Sequence, residues 1–369
     1  MKNSLILFLI ASFSYFFVNA QPKKEVTILY LLPFHLNEMA MPYSALKSSE
    51  EIHQVKQFEM MGFWLGAKLA LQEYEYTDKQ VNVMVRDVVT EIGGLNKILE
   101  DSVLMAKVNI IIGPFYGSLF PAAAEYAKQH NIIIVNPFST RFDFVQNNPF
   151  VYKLVPPFLS RPETIAEHFL SQQNEYAITL WGDSVTTPEL LAYKYYLNEN
   201  NIDYRETHTL TPRFDTRKKN LIIALFEQPE RVINCVHSIV NWEDKTNMAV
   251  VVPEKWLSIS ELTDDFFSLP QLYYFANYFV DARCNKVKQF QTDYLFAYEA
   301  PAELVSYSYQ GYDITRYFID LLFAEFNTHH LHFQPLSYQF QWTQILNGGF
   351  ENSKVRFIRV KDFEFEEVK

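Results

Sequence analysis

Glycine is scarce in this chain. Only 10 of its 369 residues are glycine, and neither GxGxxG nor GxxxxGK[ST] occurs. Nucleotide folds use such glycines to bring backbone N–H groups against phosphate, so their absence argues against a dinucleotide or nucleoside-triphosphate enzyme. Cysteine is scarcer still. Cys235 and Cys284 are the only two, too few for a disulfide scaffold, and no Cys/His spacing matches a zinc site. Cys235 lies in the apolar run 231–236 and is expected to be a buried free thiol on a strand; a single disulfide formed after export is the alternative. Basic runs are missing too. The net charge is −11, and the densest basic spot, Lys218-Lys219 near Arg213 and Arg217, is expected to be a solvated helix start. Nucleic acid is therefore not an expected partner.

Catalytic signatures are absent as well. There is no GxSxG elbow, HExxH, DxDxDG-type loop or CxxC. The cluster His329-His330-x-His332 has no cysteine nearby and is expected to hold no metal. Glu50-Glu51, Asp264-Asp265 and Glu364 with Glu366-Glu367 are expected to be solvated charge pairs rather than a paired acid and base. No cofactor, no metal and no enzymatic activity are expected.

What is present points to a globular chain with more than one core. Hydrophobic residues make up 49% of a length that fits two domains plus a leader. The 32 Phe and 23 Tyr suit bulky core packing or an aromatic-lined cleft. Lys2 precedes an apolar run over 5–18, and Val18-Asn19-Ala20 follows with the small-residue pattern of a cleavage site. The run is short for a bilayer span, so a signal peptide cut after Ala20 is expected, with an uncleaved anchor as the alternative. No cysteine follows the run, which leaves a lipoprotein anchor unsupported. No later stretch is expected to span a membrane.

Beyond the leader, apolar runs rich in Val and Ile alternate with helical spacings. Strands are expected over 26–34, 81–87, 109–113, 131–135 and 151–155. Helices fall between them, one near 57–76 and one from a Ser118 cap to His130. The pattern then restarts. Ser160 and Glu163 have capping-box spacing, 176–180 is a strand, and Thr187-Pro188 opens a helix. Further strands are expected over 202–210, 231–237, 248–252 and 273–280. Helices are expected over 287–298 and 306–326. The tail looks like one hairpin-like pair, 338–345 and 355–368, with Asn347-Gly348-Gly349 as its turn signal. Continuous apolar strands suit parallel sheets buried on both faces.

Five segments carry a family resemblance: VTILYLLPFHLN (26–37), FWLGAKLAL (63–71), IIIGPFYGS (110–118), IIIVNPFST (132–140) and YSYQGYDIT (307–315). They resemble type I periplasmic binding proteins of the Leu/Ile/Val-binding-like, amino-acid-transporter kind. The likeness is nearest to a Bacteroidetes branch in which a peptidoglycan-binding LysM module often precedes the domain. Here the first strand follows the leader so closely that no LysM module is expected. The resemblance covers nearly all of the chain after the leader. It implies an α/β fold of two Rossmann-like (flavodoxin-like) lobes with parallel sheets, joined by three crossing segments near Val155, Val280 and Phe326. It places 1–20 as signal peptide, 25–155 plus 281–325 in lobe one, and 156–280 plus 326–369 in lobe two.

The resemblance also implies a site. Open α/β sheets bind ligands beyond the carboxyl ends of their strands. In amino-acid-binding relatives, hydroxyls and N–H groups after the third and fourth strands hold a carboxylate, and Ser118, Ser139 and Thr140 match by position. Asp183 is the second-lobe candidate for an ammonium group. Tyr116, Trp181 and Trp256 are candidates to enclose the ligand, and Ser238 ends the strand expected over 231–237. Each has a plainer alternative: helix cap for Ser118, turn for Ser139, Thr140 and Asp183, core for Trp256. Bulky Phe115, Tyr116 and Phe138 crowd positions where small residues often sit. The expected partner is a small polar molecule, an amino acid or related metabolite, held by hinge closure in the periplasm. An inner-membrane transporter or another envelope protein is the expected macromolecular partner. A different role, contact with a protein or cell-wall partner through the same fold, stays open.

Overall fold

A computed structural model describes residues 25–36, 60–89, 91–170, 175–210, 212–262, 264–302, 307–331 and 333–368. The expected leader, Glu50-Glu51, Ser306 and His332 lie outside these residues. The described chain forms two seven-stranded, mostly parallel sheets. By contact it divides into two compact units: residues up to Leu119 with Gln291–Pro335, and Phe120–Phe290 with Leu336–Lys369.

The first sheet begins with β1 (Glu25–Leu32), followed by helix α1 (Met61–Gln72) and β2 (Gln80–Asp87). Helices α2 (Ile92–Leu99) and α3 (Ser102–Met105), β3 (Ile110–Ile112), α4 (Phe120–His130), β4 (Ile133–Asn136) and β5 (Val151–Lys153) continue it. β1 pairs in parallel with β2 and β3, and β4 with β5. β1, β3 and β4 are buried along almost their whole length, which is why their sequences run apolar without alternation. β2 alternates polar and apolar residues and is only half-buried, as suits a sheet edge.

The second sheet takes α5 (Ser160–Phe169), β6 (Tyr176–Gly182), α6 (Pro188–Glu199), β7 (Tyr204–Thr207), β8 (Lys219–Leu225), α7 (Pro229–Val240) and β9 (Met248–Pro253). Helix α8 (Asp264–Phe267) and β10 (Leu272–Ala276) complete the array. Strands β6 to β10 are parallel, and neighbouring residues feed opposite cores. Ile222, Ala224, Val250 and Val252 pack with Val232, Cys235 and Ile239 of α7. Leu221, Ile223, Ala249 and Val251 pack with Ile165 of α5 and Tyr193 of α6. Thr187 caps α6, its side chain accepting the Leu190 N–H at 3.1 Å ahead of Pro188.

Three local expectations are corrected. Residues 231–237 are helix, not strand: Pro229 opens α7, and Val232, Cys235, Val236 and Ile239 recur at helical spacing. The missing strand is β8, and Lys219 starts it instead of a helix. Ser160 does not cap α5, whose N-cap position is Leu159 with no side-chain bond.

After α9 (Asn285–Tyr298) and the almost wholly buried α10 (Ser308–Phe323), the tail forms two hairpins, not one. β11 (Trp342–Gln344) and β12 (Phe350–Asn352) flank Asn347-Gly348-Gly349 and join β5 in the first sheet. β13 (Arg356–Lys361) and β14 (Glu364–Glu367) join β10 in the second. Residues 326–369, expected together in lobe two, thus supply strands to both sheets. Backbone meets backbone where α10 lies on α1. A Cβ placed on Gly311 would stand 1.9 Å from the Phe63 carbonyl oxygen, and one on Gly66 would stand 1.8 Å from that of Ser308.

Candidate functional site: the carboxyl ends of the strands

In the first unit the chain leaves β1 through Pro33 into a loop whose amides converge. Phe34 and His35 donate their backbone N–H groups to Asp87 Oδ1 at 2.8 and 3.1 Å, and Leu36 donates to Oδ2 at 2.8 Å. Such a run of amides is an anion-binding concavity, and here the carboxylate ending β2 fills it. His35 has φ of 53° and is nearly buried. Its Nε2 lies 2.6 Å from the Tyr116 hydroxyl, the rings meeting edge to face. The loop after β3 turns at Gly113, φ 97°, where a Cβ would be 2.5 Å from the Leu31 carbonyl oxygen. Phe115 packs edge-on to Phe63 at 5.0 Å, so this part of the expected crowding is core packing. Ser118 is exposed.

In the second unit the loop after β4 is organised by Asn136. Its Oδ1 accepts the Ser139 N–H at 2.8 Å, and Ser139 Oγ in turn accepts the Arg141 N–H at 3.1 Å. The Asn136 side-chain nitrogen is buried without a partner among the described residues. Thr140 is exposed. Arg141 grips Asp143 with two nitrogens at 3.0 and 2.5 Å and covers the Phe144 ring.

The second sheet redistributes the remaining candidates. Trp181 is 0% exposed; its indole N–H donates to the Thr209 carbonyl at 2.7 Å, and Phe214 and Phe226 wall it in. Trp256 is likewise 0% exposed and donates to the Phe226 carbonyl at 3.1 Å. Both indoles are buried and satisfied by backbone carbonyls, which matches the plainer core alternative for Trp256. Ser238 sits in the last turn of α7, its hydroxyl within donating distance of the carbonyls of Leu210 at 2.8 Å and Asn234 at 3.0 Å, so it ends no strand. Asp183 does follow β6. It accepts the Glu227 N–H at 3.0 Å and faces Arg231 at 2.9 Å. Burial pushes the Cys235 thiol well up, and both cysteines are free.

Sequence reasoning missed Asp87 and Asn136. Each is a short polar residue at the last position of a strand, which was the available signal. Among the described residues no group of three or more His, Cys, Asp or Glu is placed to hold a metal ion. No described helix is long and apolar enough to cross a membrane.

No protein-family model matches the sequence, and no curated protein matches it. Solved structures do match. A putative branched-chain amino acid ABC transporter protein from Rhodospirillum rubrum is 12% identical, covers 93% of this chain and 100% of its own, and gives a TM-score of 0.63. An ABC transporter substrate-binding protein from Desulfitobacterium hafniense is 13% identical over 93% and 100% of the two chains, with a TM-score of 0.58. The C-domain of LpoA from Haemophilus influenzae, a regulator of PBP1A, is 12% identical over the same shares, with a TM-score of 0.56. The fold of this chain is therefore that of the type I periplasmic binding proteins. The likeness, at these identities, is one of fold.

Proposed function

We propose that this chain is an exported, non-enzymatic protein that binds a small polar molecule at the carboxyl ends of its parallel strands and delivers it to an inner-membrane transporter. The leader pattern ending at Ala20 supports export to the periplasm. The observation that carries the binding reading is the exposure of the residues Ser118, beyond β3, and Thr140, beyond β4, each at a strand end where open α/β sheets take ligands. On the loop after β3 Tyr116 pairs with His35, and on the loop after β4 Ser139 is a further polar candidate. Asp183 keeps its place at the end of β6 but is already paired with Arg231, so it binds a ligand ammonium only by exchanging that partner.

The test is thermal unfolding across a panel of amino acids, small peptides, sugars and wall fragments. A ligand at one hundred times its Kd stabilises by about 2.7 kcal/mol, a melting rise of several degrees. The matching ligand is expected to produce that rise, and Thr140→Ala with Ser118→Ala to reduce it. A flat panel removes the main support.

A second reading has an observation of its own. The Asp87 carboxylate fills the amide loop after β1, and Asp183 is neutralised internally. Both suit a chain that keeps the fold but contacts a protein or cell-wall partner. Specific capture of one envelope component, together with a flat ligand panel, favours it.

A further inference from the structure

A pocket lies away from these loops, at the amino-terminal edge of the second sheet. It is a half-open pocket of about 710 Å³ between the starts of β6 and β7 and the end of α6. That volume is within the range of small-molecule sites, roughly 300–1,000 Å³. Its walls combine aromatic rings with short polar side chains: Tyr196 and Tyr204 beside Asn201 and Asp203. Tyr196 and Tyr204 are half-buried, and Asn201 and Asp203 are exposed, so their polar groups are open to a ligand. The remaining charges are committed or balanced. Arg205 donates to Thr179 Oγ1 and to the Arg213 carbonyl. Asp215 accepts the N–H groups of Arg217 and Lys218 at 2.7 and 2.9 Å. With Asp203, Asp215, Arg205 and Lys218 in the lining, acidic and basic side chains cancel.

We propose that this cavity is a second ligand site, for a neutral saccharide. A pyranose ring has one face of C–H groups that lies on an aromatic ring, and a rim of hydroxyls that both donate and accept. Tyrosine supplies the ring and a polar tip together. Asn201 offers a donor and an acceptor to adjacent hydroxyls, and Asp203 accepts from two. With two acidic and two basic side chains in the lining, a charged ligand meets no net charge. The site is independent of the strand-end loops: β6 to β10 run away from it toward their carboxyl ends.

The experiment is saturation-transfer NMR on the full chain with neutral mono- and disaccharides, beside a sugar phosphate and an amino sugar of the same ring. Transfer to the ring protons of a neutral sugar is expected. Tyr204→Ala is expected to weaken binding about tenfold, the effect of losing one contact near 1.4 kcal/mol. Tyr204→Phe keeps the ring and is expected to lose less, which separates a lost contact from a misfolded edge. Thr140→Ala, in the loop after β4 of the first sheet, should leave saccharide binding unchanged. No transfer to any neutral sugar, stronger binding of a charged one, or binding that Thr140→Ala abolishes and Tyr204→Ala does not, overturns the proposal. The last result would instead assign the sugar to the strand-end loops, so this inference and the proposed function fail separately.

Discussion

Gly311→Ala is expected to destabilise the protein by at least about 3 kcal/mol, the upper end of what overpacking costs. The added methyl would sit 1.9 Å from the Phe63 carbonyl oxygen and 2.7 Å from its carbon. Neither neighbour is a side chain that can swing aside; both are backbone of α1. The reciprocal contact, Gly66 against Ser308, closes the same crossing from the other side. The two helices must therefore separate, and α10 is buried along nearly its whole length. Gly66→Ala should match it in size. Gly93→Ala is the contrasting case. Gly93 lies in helix α2 with open space where its Cβ would go, so alanine should stabilise by up to about 1 kcal/mol. Thermal unfolding followed by circular dichroism separates the two: a fall of many degrees for Gly311→Ala, no fall for Gly93→Ala.

Glu351→Gln is expected to cost about 3–5 kcal/mol, the usual effect of stranding a buried charge. Lys153 on β5 and Glu351 on β12 are cross-strand neighbours, 2.6 Å apart, with side chains 1% and 6% exposed. Lys153 also donates to the Val155 carbonyl. Burial lowers the Lys153 pKa, and Glu351 opposes that shift. Removing the carboxylate therefore lowers it further. Between that depressed value and the ordinary lysine value near 10.4, the unfolded chain binds more protons than the native one. Stability of the variant accordingly rises with pH through that window and is lowest below it. Urea unfolding of Glu351→Gln at neutral and alkaline pH should show this rise. The paired change Lys153→Met with Glu351→Leu should recover most of the loss, since no charge is left buried. A single variant as stable as the parent at neutral pH would contradict the account of this pair.

The fold was legible where strands are buried on both faces. The runs at 26–34, 109–113 and 131–135 are continuous because neighbouring residues on them are buried alike, and the structure has β1, β3 and β4 there. Legibility failed where a helix and a strand trade the same composition. Residues 231–237 look like a strand over seven positions; only over twelve does the spacing of Val232, Cys235, Val236 and Ile239 show a helix. β8 was hidden behind Lys218-Lys219, whose charges suggested a solvated helix. For the candidate site, the loops were legible because strand ends are, but the roles of side chains were not. Nothing in the order of residues says that the indoles of Trp181 and Trp256 turn inward to backbone carbonyls. Asp87 binds amides about fifty positions earlier, a partnership set by the pairing of β1 with β2 and not by any local pattern.

The central claim is that the strand ends hold a small molecule. Native mass spectrometry of the full chain, purified without denaturation, tests it most directly. The account predicts one adduct of small-molecule mass per chain, lost on unfolding and reduced in occupancy by Thr140→Ala. A bare chain mass that no member of the ligand panel shifts would contradict it.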